Sequence, residues 1–237
     1  MYIPKINELA SKIDLTLLKP DATINDIENL CKNAIKYKFW AVCINPFFVK
    51  FVSEKLKKHN IYTCTVIGFP LGSTTTSTKL FEACEALENG ANEIDMVMNI
   101  SAFKSRNYEY VKNEIKNIVE ESKRRKPESI IKVIIETCLL NNEEKNIACN
   151  IIISAGADFV KTSTGFSKSG ATIEDVKLLK SIVNGKLKIK ASGGIRNLKQ
   201  ALDMIEAGAD RIGTSHGIEI IEELLNISKK KFNSEMK

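Results

Sequence analysis

The sequence predicts a (β/α)8 barrel, the TIM barrel, built as a single domain from the 237 residues of the chain. Two observations carry this prediction. Three segments repeat one pattern of helix, Gly-Ala turn and strand, and eight strand-like stretches alternate with helical ones. Strands in such an alternation run parallel, because each helix returns the chain to the same edge of the sheet. Eight such units fit a barrel of about 250 residues.

The three repeated segments are ENGANEIDMV, SAGADFVKTS and EAGADRIGTS, which begin at residues 88, 154 and 206. Their glycines, Gly90, Gly156 and Gly208, stand where the end of a helix favours a left-handed residue. The helix before the third segment can be capped by Asn197, and its apolar residues recur at i, i+3, i+4 and i+7. Each repeat therefore predicts one helix that turns directly into one strand.

The eight predicted strands cover residues 13–17, 40–44, 62–67, 93–98, 131–136, 158–162, 187–191 and 211–214. An open, doubly wound sheet is the alternative, and it is disfavoured because no GxGxxG motif follows the first strand. No linker, low-complexity block or change in composition marks a second domain. The single domain, residues 1–237, is predicted to include a short lead-in at about 1–12 and a polar tail at about 229–237.

The composition is that of an ordinary globular protein, with 43% hydrophobic and 27% charged residues. The net charge is +6, but the basic residues are scattered along the chain. Two basic runs, at 123–126 and 229–231, fall where helices are predicted to end, and positive charge there complements the helix dipole. Solvated helix ends are therefore favoured over a nucleic-acid surface.

Export, membrane insertion and metal binding find no support in the sequence. No stretch is long enough to span a membrane, and the first residues contain no apolar run of signal-peptide length. The six cysteines form no CxxC pair, and His59 and His216 are the only histidines, so no zinc or other metal site is predicted. Reduced thiols in a cytoplasm are the simplest interpretation.

Several predicted strands carry a polar residue near the carboxyl end, the edge that forms the active face of this barrel. These residues are Asp14, Cys43, Asp95, Lys161 and Lys190. Two lysines and two aspartates on inner strands would form a buried charge cluster, and such a cluster rarely increases stability. A functional role is therefore predicted for both lysines and Asp95. For Asp14 and Cys43 a structural role is equally open, since a strand cysteine is often a small buried hydrophobe.

Glycine-containing turns follow the last three predicted strands. They are Ser163-Thr164-Gly165, Ser192-Gly193-Gly194 and Gly213-Thr214-Ser215. Backbone N–H groups at such a turn beside a helix N-terminus bind anions, and in these barrels the last two βα loops frequently hold a phosphate. Arg196 lies just beyond the second turn and could add a guanidinium contact. Each turn alone could be structural, but together they favour a small phosphorylated substrate.

A strand lysine that faces a phosphate ester indicates amine catalysis. A neutral lysine attacks a carbonyl and forms a Schiff base, which then accepts electrons from the neighbouring carbon–carbon bond. Desolvation, or a second ammonium nearby, favours the neutral amine, and Lys190 on the strand next to Lys161 is predicted to supply that second charge. Asp95 is predicted to move protons to and from the intermediates, through a water if needed. This chemistry requires no metal and no organic cofactor.

The motifs IDLTLLKPDAT, CINP, VIGFPLG, EIDMVMNI, VKTSTGF and KASGGIR resemble those of the 2-deoxyribose-5-phosphate aldolase family, in the family's order from about Asp14 to Ser215. The resemblance implies a class I aldolase of deoxyribonucleotide catabolism. Such an enzyme reversibly cleaves 2-deoxy-D-ribose 5-phosphate to D-glyceraldehyde 3-phosphate and acetaldehyde. It also implies a homodimer, with a tetramer as the alternative.

Residue roles follow from the same resemblance, motif by motif. It makes Lys161 the Schiff-base lysine, Lys190 its partner and Asp95 the proton donor and acceptor. Asp14 and Cys43 match positions that line the substrate pocket. The positions expected to bind the rest of the substrate, chiefly its phosphate, are Thr164, Gly165, Gly193, Gly194, Arg196, Gly213 and Ser215.

The chain departs from the family in two places, its end and its last loop, which reads GTSHG. Some members end in a tyrosine that assists proton transfer, whereas this chain ends KKKFNSEMK and its last tyrosine is Tyr110. His216 stands beside the expected phosphate site, where it either contacts phosphate or begins the final helix.

Other functions remain as alternatives. They are a transaldolase-like Schiff-base enzyme, a non-catalytic barrel that senses a sugar phosphate, and a weak nucleic-acid binder. The scattered lysines and the lack of interleaved aromatic residues argue against the last.

Overall fold

The computed structural model describes residues 4–235, with side chains through residue 229. Eight parallel strands close into a barrel in sequence order, and β8 pairs with β1 through Ile212 and Ile13. The strands are β1 Ile13–Leu17, β2 Ala41–Ile44, β3 Tyr62–Ile67, β4 Glu93–Val97, β5 Ile130–Ile134, β6 Phe159–Lys161, β7 Lys188–Ser192 and β8 Arg211–Thr214. The predicted barrel is confirmed, and the closing pair between β1 and β8 excludes the open sheet.

Helices separate the strands and cover the outside of the barrel. They are α1 Ile6–Ala10, α2 Ile24–Tyr37, α3 Val49–Leu56, α4 Thr76–Glu88, α5 Ile100–Lys104, α6 Tyr108–Arg125, α7 Asn142–Ser154, α8 Ile173–Val183, α9 Leu198–Glu206 and α10 Gly217–Glu235. Short 3-10 turns lie at Pro46–Phe48 and Thr137–Leu139. The predicted cap of α9 is confirmed, because the side chain of Asn197 accepts a hydrogen bond from the Gln200 amide at 2.9 Å.

The strand boundaries differ from the predicted ones by a few residues, most clearly at β5. The sequence predicts strand through Glu136, but the strand ends at Ile134. The reason is local, since Glu136 has φ 52° and ψ 69°, a left-handed conformation that cannot continue a strand. The apolar run therefore extends beyond the strand and into a turn at the carboxyl end of the barrel.

Alternation along the strands divides the core into two regions. One set of strand residues, such as Leu15, Met96 and Val160, belongs to the large apolar cluster shared with the helices. The other set faces the barrel axis, where a small apolar cluster contains Cys43, Cys64 and three further residues. The charged strand residues are in this inward phase, so the fold gathers them at the centre of the barrel.

The two ends of the chain frame the barrel. Helix α1 lies in the predicted lead-in and packs against α10, and the backbone of α10 continues to Glu235 through most of the predicted tail. Residues 1–3 of the lead-in and 236–237 of the tail lie outside the described residues, and the bounds of both segments stay predictions. Among residues 4–235, no helix combines the length and the apolar character that crossing a bilayer requires.

Candidate active site

Seven ionisable side chains meet inside the barrel, and the structure buries all of them. The basic ones come from β5 to β8 and the acidic ones from β1 and β4. They are Lys132, Lys161, Lys190, Arg211, Asp14, Glu93 and Asp95. With every group ionised, four positive charges face three negative ones. A neutral amine at Lys161 would make the two numbers equal.

Asp95 is the shared acceptor of this cluster. Its Oδ2 accepts hydrogen bonds from Lys161 Nζ at 2.8 Å and from Lys190 Nζ at 2.7 Å. Its Oδ1 accepts from Lys132 Nζ at 2.7 Å. Burial alone would raise the pKa of Asp95, but the three ammonium groups outweigh it and hold that pKa well below the usual value. Asp95 is therefore a carboxylate that contacts both predicted catalytic lysines.

Lys190 lies beside Lys161, because the two residues are paired in register on neighbouring strands. Its Nζ is also 2.5 Å from Asp14 Oδ2. Burial would lower the pKa of Lys190, but attraction to Asp14 and Asp95 is stronger and raises that pKa well above the usual value. Lys190 is consequently a fixed positive charge one strand away from Lys161.

Asp14, whose role the sequence left open, is part of the charge cluster. Arg211 donates a hydrogen bond from NH1 to Asp14 Oδ1 at 2.8 Å, and Lys190 contacts the other carboxylate oxygen. Burial works to raise the pKa of Asp14, but these two cations lower it below its usual range. Its placement beneath Lys190 indicates that it orients that lysine.

Lys132, Glu93 and Arg211, which form the lower layer of the cluster, were not among the predicted site residues. Lys132 Nζ is 2.5 Å from Glu93 Oε2, Trp40 donates from Nε1 to Glu93 Oε1 at 2.7 Å, and Arg211 lies 3.4 Å from Glu93 Oε2. The guanidinium carbon of Arg211 is also 4.5 Å from the centre of the Trp40 ring. The signal that singled out Lys161, a charge inside an apolar strand, was also present at Lys132 in IIKVII.

A cavity of about 300 Å³ opens above this cluster at the carboxyl end of the strands. Its lining combines the predicted residues Lys161, Thr164, Gly165, Gly193, Gly194, Arg196, Gly213, Ser215 and His216 with others that include Ser192 and Phe166. Asp14, Asp95 and Lys190 do not line it, so they act from beneath the floor. Lys161 is the one of the two predicted catalytic lysines whose side chain reaches both the cavity and the charge cluster.

The rim of the cavity presents backbone donors. In residues 4–235, the amides of Gly165, Gly193, Gly194 and Ser215 donate to no protein acceptor. The first three residues are glycines with φ between 79° and 87°, a left-handed conformation that glycine adopts without steric cost. Four N–H groups around one opening form an arrangement that suits an anion.

Two of the predicted phosphate-binding residues, and His216 beside them, differ in setting. Arg196 is exposed at the rim, where its guanidinium can reach a ligand. Gly213 lies inside β8, and an added Cβ would stand 2.3 Å from Ser192 Oγ and 3.0 Å from Lys190 Cε. This glycine therefore makes room for the Lys190 side chain. His216 lines the cavity, and its carbonyl also accepts from the Ile220 amide at 3.1 Å, so it begins α10 as well.

Cys43 is fully buried in the small apolar cluster and does not line the cavity. A hydrogen bond with Cys64 lowers the pKa of Cys43, whereas burial raises the pKa of Cys64. The structure thus favours the structural alternative that the sequence left open for Cys43. Its contribution at the site is to fill the barrel interior below the cavity.

Two groups of three possible metal ligands occur in this interior, Cys43 with Cys64 and Asp95, and Asp14 with Cys64 and Glu93. In both groups the carboxylates are already paired with lysine or arginine, and Lys132 Nζ lies 3.4 Å from Cys64 Sγ. Fixed ammonium and guanidinium groups repel a cation at these positions. The donor sets therefore fit an internal salt-bridge network and do not fit a metal ion.

An eight-stranded barrel with a cavity-facing lysine, a buried partner lysine and an anion-binding rim is the arrangement of a barrel enzyme that uses an amine on a small phosphorylated compound. The comparison with family models gives the same class. Residues 9–223 match the model described as DeoC/LacD family aldolase. The chain belongs to this family of aldolases.

Relatives and solved structures agree with this assignment. The chain is 54% identical to a deoxyribose-phosphate aldolase of Carboxydothermus hydrogenoformans, over 92% of this chain and 96% of the relative. It is 56% identical to a protein of the same name from Caldicellulosiruptor saccharolyticus, over 91% and 98%. The structure of "QR15, an Aldolase" superimposes with a TM-score of 0.87 at 49% identity, over 92% of this chain and 96% of that one.

A second solved structure also resembles the chain over nearly its whole length. It is described as a unique tetrameric structure of deoxyribose phosphate aldolase from Aeropyrum pernix. It superimposes with a TM-score of 0.88 at 37% identity, over 94% of this chain and 93% of that chain. The resemblance seen in the sequence motifs therefore extends to the whole barrel.

Proposed function

We propose that this chain is a class I aldolase that reversibly cleaves 2-deoxy-D-ribose 5-phosphate to D-glyceraldehyde 3-phosphate and acetaldehyde. The observation that carries the proposal is the position of Lys161. Its amine lies at the floor of a cavity, 2.8 Å from the Asp95 carboxylate, beneath a rim of unpaired backbone amides. The names of the relatives support the choice of substrate.

Substrate binding uses the two ends of the cavity differently. The phosphate group sits at the rim, on the amides of Gly165, Gly193, Gly194 and Ser215, where the Arg196 guanidinium adds a charged contact. The opposite end of the open-chain sugar then places its aldehyde carbon, C1, at Lys161. Held at both ends, the substrate presents C1 to the amine without a further conformational search.

The first half of the reaction makes an electron sink. The neutral amine of Lys161 attacks C1, and the resulting carbinolamine loses water to give an iminium ion. The Asp95 carboxylate lies 2.8 Å from Lys161 Nζ, within direct reach of the proton that the amine gives up. Lys190 contributes positive charge close to the oxygen that departs as water.

The second half breaks the carbon–carbon bond. The C3 hydroxyl loses its proton, the C2–C3 bond breaks, and its electron pair moves to C2 and the iminium to form an enamine. D-glyceraldehyde 3-phosphate leaves. Protonation at C2 and addition of water to C1 then release acetaldehyde and restore the Lys161 amine. Asp95, which lies between Lys161 and Lys190, passes protons in both halves.

Trapping tests the nucleophile, the reaction class and the substrate together. Borohydride added with acetaldehyde should leave a reduced two-carbon adduct on Lys161, detected by intact mass and peptide mapping. Lys161→Arg should abolish both trapping and turnover, because a guanidinium stays protonated. Lys188→Arg, an exposed lysine on the same sheet, is the matched control and should behave as the wild type. An adduct on another lysine would contradict the assignment.

A substrate comparison separates the proposal from a transaldolase-like reaction. The aldolase should turn over 2-deoxyribose 5-phosphate and should not transfer carbon from fructose 6-phosphate, which is a ketose donor. The reverse preference would replace the proposed substrate while keeping the Schiff base. Activity on neither compound, with phosphate-ester binding retained, would indicate a sensing barrel.

The assembly proposed for the chain is a homodimer, with a tetramer as the alternative. The tetrameric aldolase of Aeropyrum pernix supports the second possibility. Light scattering of the purified protein distinguishes the two. The proposed compartment is the cytoplasm, and the six cysteines, all free in the structure, are consistent with reducing conditions there.

A further inference from the structure

Glu136 has an unusual backbone and an unusual environment for a carboxylate. It is 2% exposed and adopts φ 52° and ψ 69°, the left-handed region that residues other than glycine rarely occupy. It lies two residues beyond β5, between the end of the strand and the 3-10 turn Thr137–Leu139. A conformation of this kind persists when surrounding contacts hold it in place, and active sites are among the places where such strain is found.

The hydrogen bonds that Thr164 donates tie the Glu136 carboxylate to the loop after β6. It accepts hydrogen bonds from the Thr164 amide at 3.3 Å and from Thr164 Oγ1 at 2.5 Å, both at Oε2, and it lies 4.0 Å from Cys138 Sγ. Within the described residues no ion pair joins it to a basic side chain. A buried carboxylate in this position depends on Thr164 for its stabilisation.

The backbone on both sides of Glu136 holds the same strand. The Ile135 amide donates to the Lys161 carbonyl at 3.0 Å, and the Thr137 amide donates to the Thr162 carbonyl at 2.9 Å. Together with the Thr164 contacts, the left-handed turn at Glu136 fixes three of the four residues that start with Lys161. The segment that carries the nucleophile is thus held from one side by one residue and its neighbours.

The Thr164 hydroxyl passes this constraint on to the cavity rim. It donates to Glu136 and accepts from the Phe166 amide at 3.0 Å, which closes a turn around Gly165. Gly165 has φ 85°, and its amide is one of the four that the rim leaves unpaired. Phe166 then packs edge to face against Phe69 with ring centres 5.2 Å apart, which joins this loop to the one after β3.

We propose that Glu136 is a positioning residue of the aldol reaction, whose carboxylate sets both the direction of the Gly165 amide and the placement of Lys161. This inference rests on the proposed function, because the two positions matter together only if phosphate and aldehyde bind at once. Glu136 itself touches neither. Its effect reaches the substrate through Thr164.

Two replacements separate the side chain from the backbone. Glu136→Gly removes the carboxylate and suits a left-handed position, so the chain should fold with a melting temperature close to that of the wild type. Glu136→Gln keeps an acceptor oxygen where Oε2 accepts both Thr164 bonds. Glu143→Gln, at an exposed glutamate in the first turn of α7, is the matched control.

For Glu136→Gly we expect the KM for 2-deoxyribose 5-phosphate to rise about 10- to 100-fold, the effect of losing a hydrogen bond to a charged group. The KM for unphosphorylated 2-deoxyribose should change much less, and borohydride trapping at Lys161 should slow. Glu136→Gln should recover most of each change. Equal effects on both sugars, or a loss of melting temperature that accounts for the activity change, would overturn the inference.

Hydrogen exchange of the peptide that spans residues 159–166 gives a readout that does not depend on activity. Glu136→Gly should speed exchange at Thr164 and the residues after it, and Glu136→Gln should not. Unchanged exchange would overturn the positioning role even if turnover fell. If the wild type neither turned over the sugar nor formed an adduct, the proposed function would fail, while the exchange result would still decide whether Glu136 orders the loop.

Discussion

Replacement of Lys190 by methionine tests the charge cluster most directly. The change keeps most of the side-chain volume but removes an ammonium that lies 2.5 Å from Asp14 and 2.7 Å from Asp95, both in the buried interior. Removing one partner of a buried ion pair costs about 3–5 kcal/mol. Both carboxylates keep another cation, Arg211 for Asp14 and Lys132 for Asp95, so the lower limit of about 3 kcal/mol is expected.

That loss should be visible as a fall in melting temperature of roughly 6–12 °C, since about 1 kcal/mol corresponds to 2–4 °C in a domain of this size. Turnover should fall by about 10²- to 10⁴-fold, the usual contribution of proton transfer by a positioned group. Trapping by borohydride should slow as well. The reason is the charge balance of the cluster. Without the Lys190 ammonium, a neutral Lys161 would leave only the cations of Lys132 and Arg211 facing three carboxylates.

Lys188→Met is the matched control, because Lys188 lies on the same strand but its side chain is exposed. It should change stability by no more than about 0.5 kcal/mol. A Lys190→Met variant with the wild-type melting temperature, trapping and turnover would refute the role given to the charge cluster. A fall in stability with unchanged turnover would keep Lys190 as a structural cation and remove it from the mechanism.

Three further predictions concern other parts of the barrel. Lys79 and Glu114 form a fully buried ion pair at 2.8 Å, and burial outweighs their attraction, since it lowers the pKa of Lys79 and raises that of Glu114. Lys79→Met alone should therefore cost about 3–5 kcal/mol in urea unfolding, and adding Glu114→Leu should recover at least half of it. Asp95 has a lowered pKa when folded, so its contribution to stability is complete above its unfolded pKa of about 3.9 and is lost as the pH falls towards the folded value. Acid unfolding of the wild type should steepen below about pH 4, and an Asp95→Asn variant with the same slope would contradict this. Gly213→Ala should cost about 1–3 kcal/mol in thermal unfolding and reduce turnover, because its methyl group would displace Ser192 and press on Lys190. A variant as stable and active as the wild type would show that the interior can rearrange freely.

Repetition along the chain made the barrel predictable. Three Gly-Ala turns with left-handed glycines and eight alternating strands leave few other topologies, and the predicted strand at 211–214 agrees with β8. Lys161 and Lys190 could be placed side by side because consecutive strands of a barrel are neighbours. These features depend on local sequence and on strand order, which a single sequence contains.

The contacts of Lys132 and Arg211 depend on the register between neighbouring strands, and register cannot be read from a single sequence. Lys132 meets Asp95 because the two residues are paired between β4 and β5, and Arg211 meets Asp14 across the closing pair of strands. The role of Glu136 could not be predicted for another reason. Its left-handed turn follows an apolar run, and that run predicts a continuous strand. Contacts of this kind are fixed by geometry between distant segments.

The four unpaired amides at the rim have a consequence for how the binding preference of this barrel can change. Side-chain substitution does not remove a main-chain donor, so mutations at Arg196 or Ser215 alter the strength of anion binding but leave the cradle itself in place. Redesign towards uncharged aldehydes would have to reshape the loops that carry Gly165 and Gly193. A variant that differs from the wild type only in side chains around the cavity should therefore keep a residual affinity for inorganic phosphate.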